Sequence, residues 1–165
     1  MELLIIRHGL AEERGETGKR DASRRLTKRG IKRTKRAAKG LHKMLAGEID
    51  VLATSPLIRA VQTADLFAAA FDARPCRRGE LAPGKRVAAV LEWLKLQDGK
   101  RRVAIVGHEP QLGILTSWLI SGLQESFVQL KKSAIACVDF PDAIKPGGGK
   151  LKWLMSASQL AAQAT

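Results

Sequence analysis

The feature that constrains this chain most is a pattern that occurs twice: a short, wholly apolar run that ends in histidine and glycine. Leu3-Leu4-Ile5-Ile6 runs straight into Arg7-His8-Gly9, and Val103-Ala104-Ile105-Val106 runs into Gly107-His108-Glu109-Pro110. A continuous apolar run rich in branched side chains predicts a strand buried on both faces. Such strands lie inside α/β sheets, and ligands bind at their carboxyl ends. Arginine there offers a planar fork of donors suited to a phosphate. Imidazole is a nitrogen nucleophile that is largely neutral near pH 7. Glycine lets backbone and ligand approach closely.

The segments between these runs agree with that class of fold. Residues 10–26 are polar and charged and read as a long loop over the end of the first strand, the kind that is usually functional. Thr27 is the predicted N-cap of a helix reaching about Ala46. Its apolar side is Ile31, Thr34, Ala38, Leu41 and Leu45, and Lys28, Lys32, Lys35, Lys39 and Lys43 recur on the wet side. Residues 50–54 form a short strand, and Ser55-Pro56 predicts a helix start with Ser55 as cap. Val61, Ala64, Leu66, Ala68 and Phe71 give that helix a packing side. Residues 75–86 read as a compact connector, 87–96 as a third helix, and 110–121 as a fourth that Gly122 stops. Residues 133–140 and 150–155 are strands, and the last ten residues suggest a frayed helix. Gly147-Gly148-Gly149 precedes a strand and not a helix, so it is a hairpin turn rather than a phosphate loop. The alternation predicts a three-layer α/β/α sandwich, mostly parallel with an antiparallel edge, in one domain over residues 1–165.

Composition narrows the function classes. No apolar run approaches the roughly 20 residues of a membrane span, so no membrane partner is expected. The start carries neither a basic leader nor a long apolar segment, so no secretory signal is expected. Cys76 and Cys137 lie far apart and match no metal-ligand spacing, which predicts reduced thiols in a cytoplasmic protein. The net charge is +13, and the stretch from Arg14 to Lys43 alone holds 13 Lys and Arg against Glu16 and Asp21. Such a surface attracts anions: nucleic acid, an acidic protein or a phosphorylated substrate. The helical spacing of its lysines is that of a solvated helix face, so nucleic acid is not favoured.

Arg7, His8, Arg59 and His108 each follow an apolar strand, and parallel strands bring such positions to one edge of the sheet. Arg59 stands out locally: a cation in the first turn of a helix opposes the helix dipole and calls for an anion nearby. Two guanidiniums and two imidazoles without matched carboxylates form a site for phosphate. Metal binding is the rival reading of two histidines, but two arginines repel a cation and no carboxylate ligands are evident. No metal or other cofactor is therefore expected.

These residues carry a resemblance. The run Leu-Ile-Ile-Arg-His-Gly ending at Gly9, Ser-Pro-Leu-Ile-Arg-Ala-Val-Gln-Thr-Ala at 55–64 and Val-Gly-His-Glu-Pro at 106–110 resemble the histidine phosphatase superfamily. Leu26-Thr27 followed by Gly30 is similar to the segment before its first helix. The short chain is most similar to the small bacterial SixA-type phosphohistidine phosphatases, over residues 2 to about 155. The resemblance implies a phosphoglycerate mutase-like fold, with His8 as the nucleophile that takes the phosphoryl group and Arg7, Arg59 and His108 as the phosphate pocket. It implies a phosphohistidine-bearing protein as substrate and inorganic phosphate as product. Many superfamily members carry an acid in the connector where Glu80 lies, which makes Glu80 the candidate proton donor, although no motif fixes the match. An imidazole leaving group needs little help from an acid. Glu109 is read as a carboxylate favoured by a helix N-terminus, with orientation of His108 or contact with substrate as alternatives. The short connector and Leu10-Ala11 after the Arg-His-Gly triplet suggest an open site. A phosphatase for small phosphomonoesters or phosphoramidates, and a non-catalytic polyanion-binding module, are the competing readings.

Overall fold

The computed structural model describes residues 1–13, 15 and 20–164. Arg14, Glu16 and Lys19 of the basic stretch lie outside them. Six strands form one sheet: β1 (Glu2–Arg7), β2 (Val51–Thr54), β3 (Pro75–Arg77), β4 (Arg102–Gly107), β5 (Ile135–Asp139) and β6 (Lys150–Met155). Their order is β3-β2-β4-β1-β5-β6. The first four are mutually parallel, and β5 is antiparallel to both β1 and β6. Among the described residues five α-helices cover the faces: α1 (Lys28–Met44), α2 (Ile58–Phe71), α3 (Val87–Lys95), α4 (Gln111–Ser121) and α5 (Ala157–Ala162).

Alternation along the central strands builds two cores. Leu3, Ile5, Val103 and Ile105 point toward α3 and α4, packing with Leu94, Leu112, Leu115 and Leu119. Leu4, Ile6, Ala104 and Val106 point the other way, toward α1, α2 and α5, packing with Leu41, Phe67 and Leu160. Both sets are fully buried, which is why these strands read as unbroken apolar runs. The expected three-layer α/β sandwich with an antiparallel edge is the fold observed.

Local expectations fared unevenly. Thr27 caps α1 through the Gly30 N–H, and Gly122 ends α4 at φ +83°. Ile31, assigned to the core, is 39% exposed, because α1 buries Gly30, Ala37 and Gly40 in its place. Small residues let neighbouring backbone come close: a Cβ on Gly40 would overlap the Leu160 carbonyl of α5. The C-terminal segment is accordingly a docked helix with a Ser156–Gln159 capping box rather than a frayed end. The 75–86 connector contains β3, which the short polar sequence concealed. Cys76 and Cys137 are both free; the first is exposed and the second buried.

Candidate active site

Register puts the site at one level. Arg7 pairs opposite Gly107, and Thr54 opposite Val106. His8, Ser55 and His108 therefore leave the sheet side by side. The His8 N–H bonds the Gly107 carbonyl at 3.0 Å, and the Ser55 N–H bonds that of Val106 at 2.9 Å. Behind them Ser133, at φ +58°, gives its N–H to the carbonyls of Arg7 and His8, both at 3.2 Å. Thr63 fastens α2 to this edge: its hydroxyl donates to the Arg59 carbonyl at 2.7 Å and accepts the Gly9 N–H at 2.9 Å.

Arg59 is the hub of the cluster. Its Nε lies 3.3 Å from His8 Nε2, and its Nη2 lies 3.3 Å from His108 Nδ1. The two imidazole centroids are 5.0 Å apart. His8, Arg59 and His108 are only 3%, 2% and 3% exposed, so this is a buried cluster and not the open site expected.

The hydrogen bonds define the tautomers. His8 Nδ1 stands 2.7 Å from the Gly9 carbonyl, an acceptor, so Nδ1 carries the proton. Nε2 then holds a lone pair and accepts from Arg59. For His108, the Arg59 guanidinium can only donate, so Nδ1 is the acceptor and Nε2–H donates to Ser55 Oγ at 2.7 Å. Both rings are neutral. Burial, helped by Lys132, pushes His8 down to about 2. Burial and the adjacent Arg59 push His108 down to about 3.

Arg7 stands apart from the other three. Its Nη1 donates to the Leu130 carbonyl at 2.7 Å, and no hydrogen bond joins it to His8, Arg59 or His108. Glu109 holds the same residue through its other backbone group, accepting the Leu130 N–H at 2.9 Å and that of Gly113 at 3.3 Å. Glu109 is thus the helix-terminal carboxylate, and it makes no contact with the His108 ring. Burial lowers the Arg7 pKa, and the Glu109 charge works against that.

The anion that Arg59 called for comes from the chain itself. In the long loop, Asp21 accepts Arg59 Nη1 on its carbonyl at 2.8 Å and Nη2 on its carboxylate at 3.2 Å. Arg24 binds the other carboxylate oxygen of Asp21 at 2.9 Å. Burial works to raise the Asp21 pKa, but Arg59 and Arg24 together hold it below the usual carboxylate value. Glu80 lies elsewhere. Its carboxylate meets Arg78 at 3.0 Å and lines a groove with Gly79, Lys85 and Ala89 that includes none of the four site residues. Its own backbone N–H, with Arg78, holds its pKa below the usual carboxylate value against the effect of burial. Sequence reasoning missed Asp21, Arg24, Thr63 and Ser133, and assigned Ser55 to the wrong task. Ser55 does not cap α2, whose N-cap is Leu57; it orients His108. The Ser-Pro pair concealed this, since the same residues signal a helix start.

A neutral imidazole with a lone pair on a buried guanidinium, and a second imidazole beside it, is an arrangement suited to an oxyanion, and known proteins with this fold agree. The chain belongs to the histidine phosphatase superfamily (branch 1), whose pattern covers residues 3–82, and its class is therefore that of a phosphatase. An uncharacterized protein of Picosynechococcus sp. (strain PCC 7002) is 36% identical over 138 residues, which is 82% of either chain. Within the superfamily the chain is SixA-like. The protein histidine phosphatase SixA, solved with tungstate, is 29% identical with a TM-score of 0.84, over 97% of this chain and 99% of that one. The alpha-ribazole phosphatase of Shigella flexneri shares the fold at 20% identity and a TM-score of 0.75, over 95% of this chain and 97% of that one.

Proposed function

We propose that the chain removes the phosphoryl group from a phosphohistidine carried by a protein. One observation carries this reading: His8 keeps its proton on Nδ1, 2.7 Å from Gly9, so Nε2 presents a lone pair beside Arg59. In the first step Nε2 attacks phosphorus in line. The N–P bond to the substrate imidazole breaks, and that nitrogen takes up a proton. In the second step water attacks phospho-His8, the new N–P bond breaks, and inorganic phosphate leaves. Splitting the transfer in two replaces one hard step with two easier ones. Arg59 and Arg7 supply fixed donors for the charge that spreads over the equatorial oxygens, and His108 joins them by turning its Nε2–H from Ser55 to an oxygen. A phosphoryl oxygen takes the place that the Asp21 carboxylate holds on Arg59. SixA, at 29% identity, was solved with tungstate, itself a tetrahedral oxyanion, which supports this kind of pocket.

A second reading is a phosphatase for small phosphomonoesters. The cover that Asp21 lays over Arg59 favours it, because a small substrate is more easily enclosed. An alkoxide leaving group would then require an acid, the role for which Glu80 is the candidate.

The deciding assay is phosphate release from a histidine-phosphorylated protein, a phosphoserine peptide and a sugar phosphate. Release from phosphohistidine alone is expected, with tungstate competing. The His8→Ala variant should release nothing and form no acid-labile phospho-enzyme. Preference for the sugar phosphate moves the function to small substrates, and full activity in His8→Ala overturns the mechanism.

A further inference from the structure

The basic face of α1 takes no part in the chemistry above, and its charge is unbalanced. Lys28, Arg29, Lys32, Arg33, Lys35, Arg36, Lys39 and Lys43 lie on this helix, which contains no acidic residue. Among the described residues, none of the seven cations from Lys28 to Lys39 forms an ion pair. Four of them, Arg29, Lys32, Arg33 and Arg36, line a groove of about 380 Å³ whose other wall is Ala157, Ala161 and neighbouring residues of α5.

This groove leads toward the site. Ser158 lines both it and a second groove that reaches Gln129 and Lys131. The next residue on one side, Leu130, holds Arg7 through its carbonyl. The next on the other side, Lys132, acts electrostatically on both His8 and His108. A track with the α1 cations at one end and Lys131 and Lys132 at the other therefore runs past α5 to the edge where phosphate would bind.

We infer that this track is a docking surface for an acidic segment of the phosphoprotein substrate, holding it while its phosphohistidine reaches His8. This rests on the phosphohistidine reading given above. The composition of the groove favours protein over nucleic acid. Its α5 wall is mostly alanine, which accommodates aliphatic stems or a helix backbone, and among the described residues no aromatic ring lines it, whereas single-stranded nucleic acid is held by stacking on aromatic side chains. Opposed charge fields of this kind speed encounter and select partners, and salt weakens them.

The test uses two synthetic peptides, each with one phosphohistidine, followed either by a glutamate-rich segment or by the same segment with glutamine. The intact protein should cleave the acidic peptide with a kcat/KM about tenfold higher, through KM, at low salt. That preference should vanish at about 0.5 M NaCl and in a Lys32→Glu, Arg33→Glu, Arg36→Glu variant, while cleavage of the glutamine peptide stays unchanged. The salt dependence of the unaltered protein decides the matter even if the variant fails to fold. Equal kcat/KM for the two peptides overturns the inference. So does a single-stranded oligonucleotide that competes at lower concentration than the unphosphorylated acidic peptide. If neither peptide is cleaved but the unphosphorylated acidic one still binds about tenfold tighter in fluorescence anisotropy, the docking surface stands and the phosphohistidine reading falls.

Discussion

The two buried imidazoles make a sharp prediction about acid. In the folded state His8 is held neutral down to about pH 2 and His108 down to about pH 3. In the unfolded chain both titrate near ~6.5. Below that pH the unfolded state binds two protons that the folded state refuses, so stability falls as pH falls. Between pH 7 and pH 5 each ring should cost about 2 kcal/mol of stability, and the pair about 4 kcal/mol. For a chain of this length that is a drop in Tm of roughly 8–15 °C. Paired carboxylates such as Asp21 and Glu2 also lose stability in acid, since their folded values are lowered, but mostly below about pH 5. The window from pH 7 to 5 therefore isolates the histidines. Urea unfolding at the two pH values, for the unaltered protein and for His8→Gln and His108→Gln, measures the effect. Each substitution should remove about half of the pH dependence. An unchanged dependence in both variants, or imidazole NMR signals of His8 that move between pH 7 and 5, would refute the reasoning.

Three further outcomes follow from single contacts. Ser55→Ala leaves the His108 Nε2–H without its 2.7 Å acceptor in a buried site; it should cost about 1–3 kcal/mol in urea unfolding and lower kcat. Gly40→Ala drives a methyl into the Leu160 carbonyl; it should cost about 2 kcal/mol or more and raise hydrogen exchange in α5 while leaving the sheet protected. Asp21→Asn removes the charge that competes with an oxyanion for Arg59; tungstate should bind several-fold tighter by calorimetry, and weaker binding would mean that Asp21 helps to hold the anion.

What the sequence disclosed, and what it hid, divides along a physical line. Strands buried on both faces must be apolar throughout, so β1 and β4 announce themselves, and whatever follows them lands at the sheet edge. That logic brings His8 and His108 to ring centroids 5.0 Å apart, and it singled out Arg59 because its charge opposed the dipole of its own helix. Residues that act from loops leave no such trace. Asp21 sits 38 positions from Arg59 in a polar stretch, and no periodicity ties the two together. Ser133 lies 99 positions from Thr34, to which its hydroxyl is bonded at 2.8 Å. Glu80 shows the converse: a carboxylate in a connector is no guide to where its side chain turns, and in the structure Arg78, two residues away, binds it.

The loop contact that escaped sequence reasoning also settles an electrostatic question about the cluster. Burying Arg59 at 2% exposure between two neutral rings would strand a charge in a low-dielectric setting. Protonating either ring would worsen matters, because cations would then face one another across 3.3 Å. The rings therefore stay neutral, and the compensating charge comes from Asp21, at the edge of the cluster and 38% exposed on its side chain. A counter-ion on a surface loop can leave at modest cost, whereas one anchored in the sheet could not. Under the proposed function, the same placement that stabilises the guanidinium would let a phosphoryl oxyanion take over that role, with His8 Nε2 already unprotonated beside it.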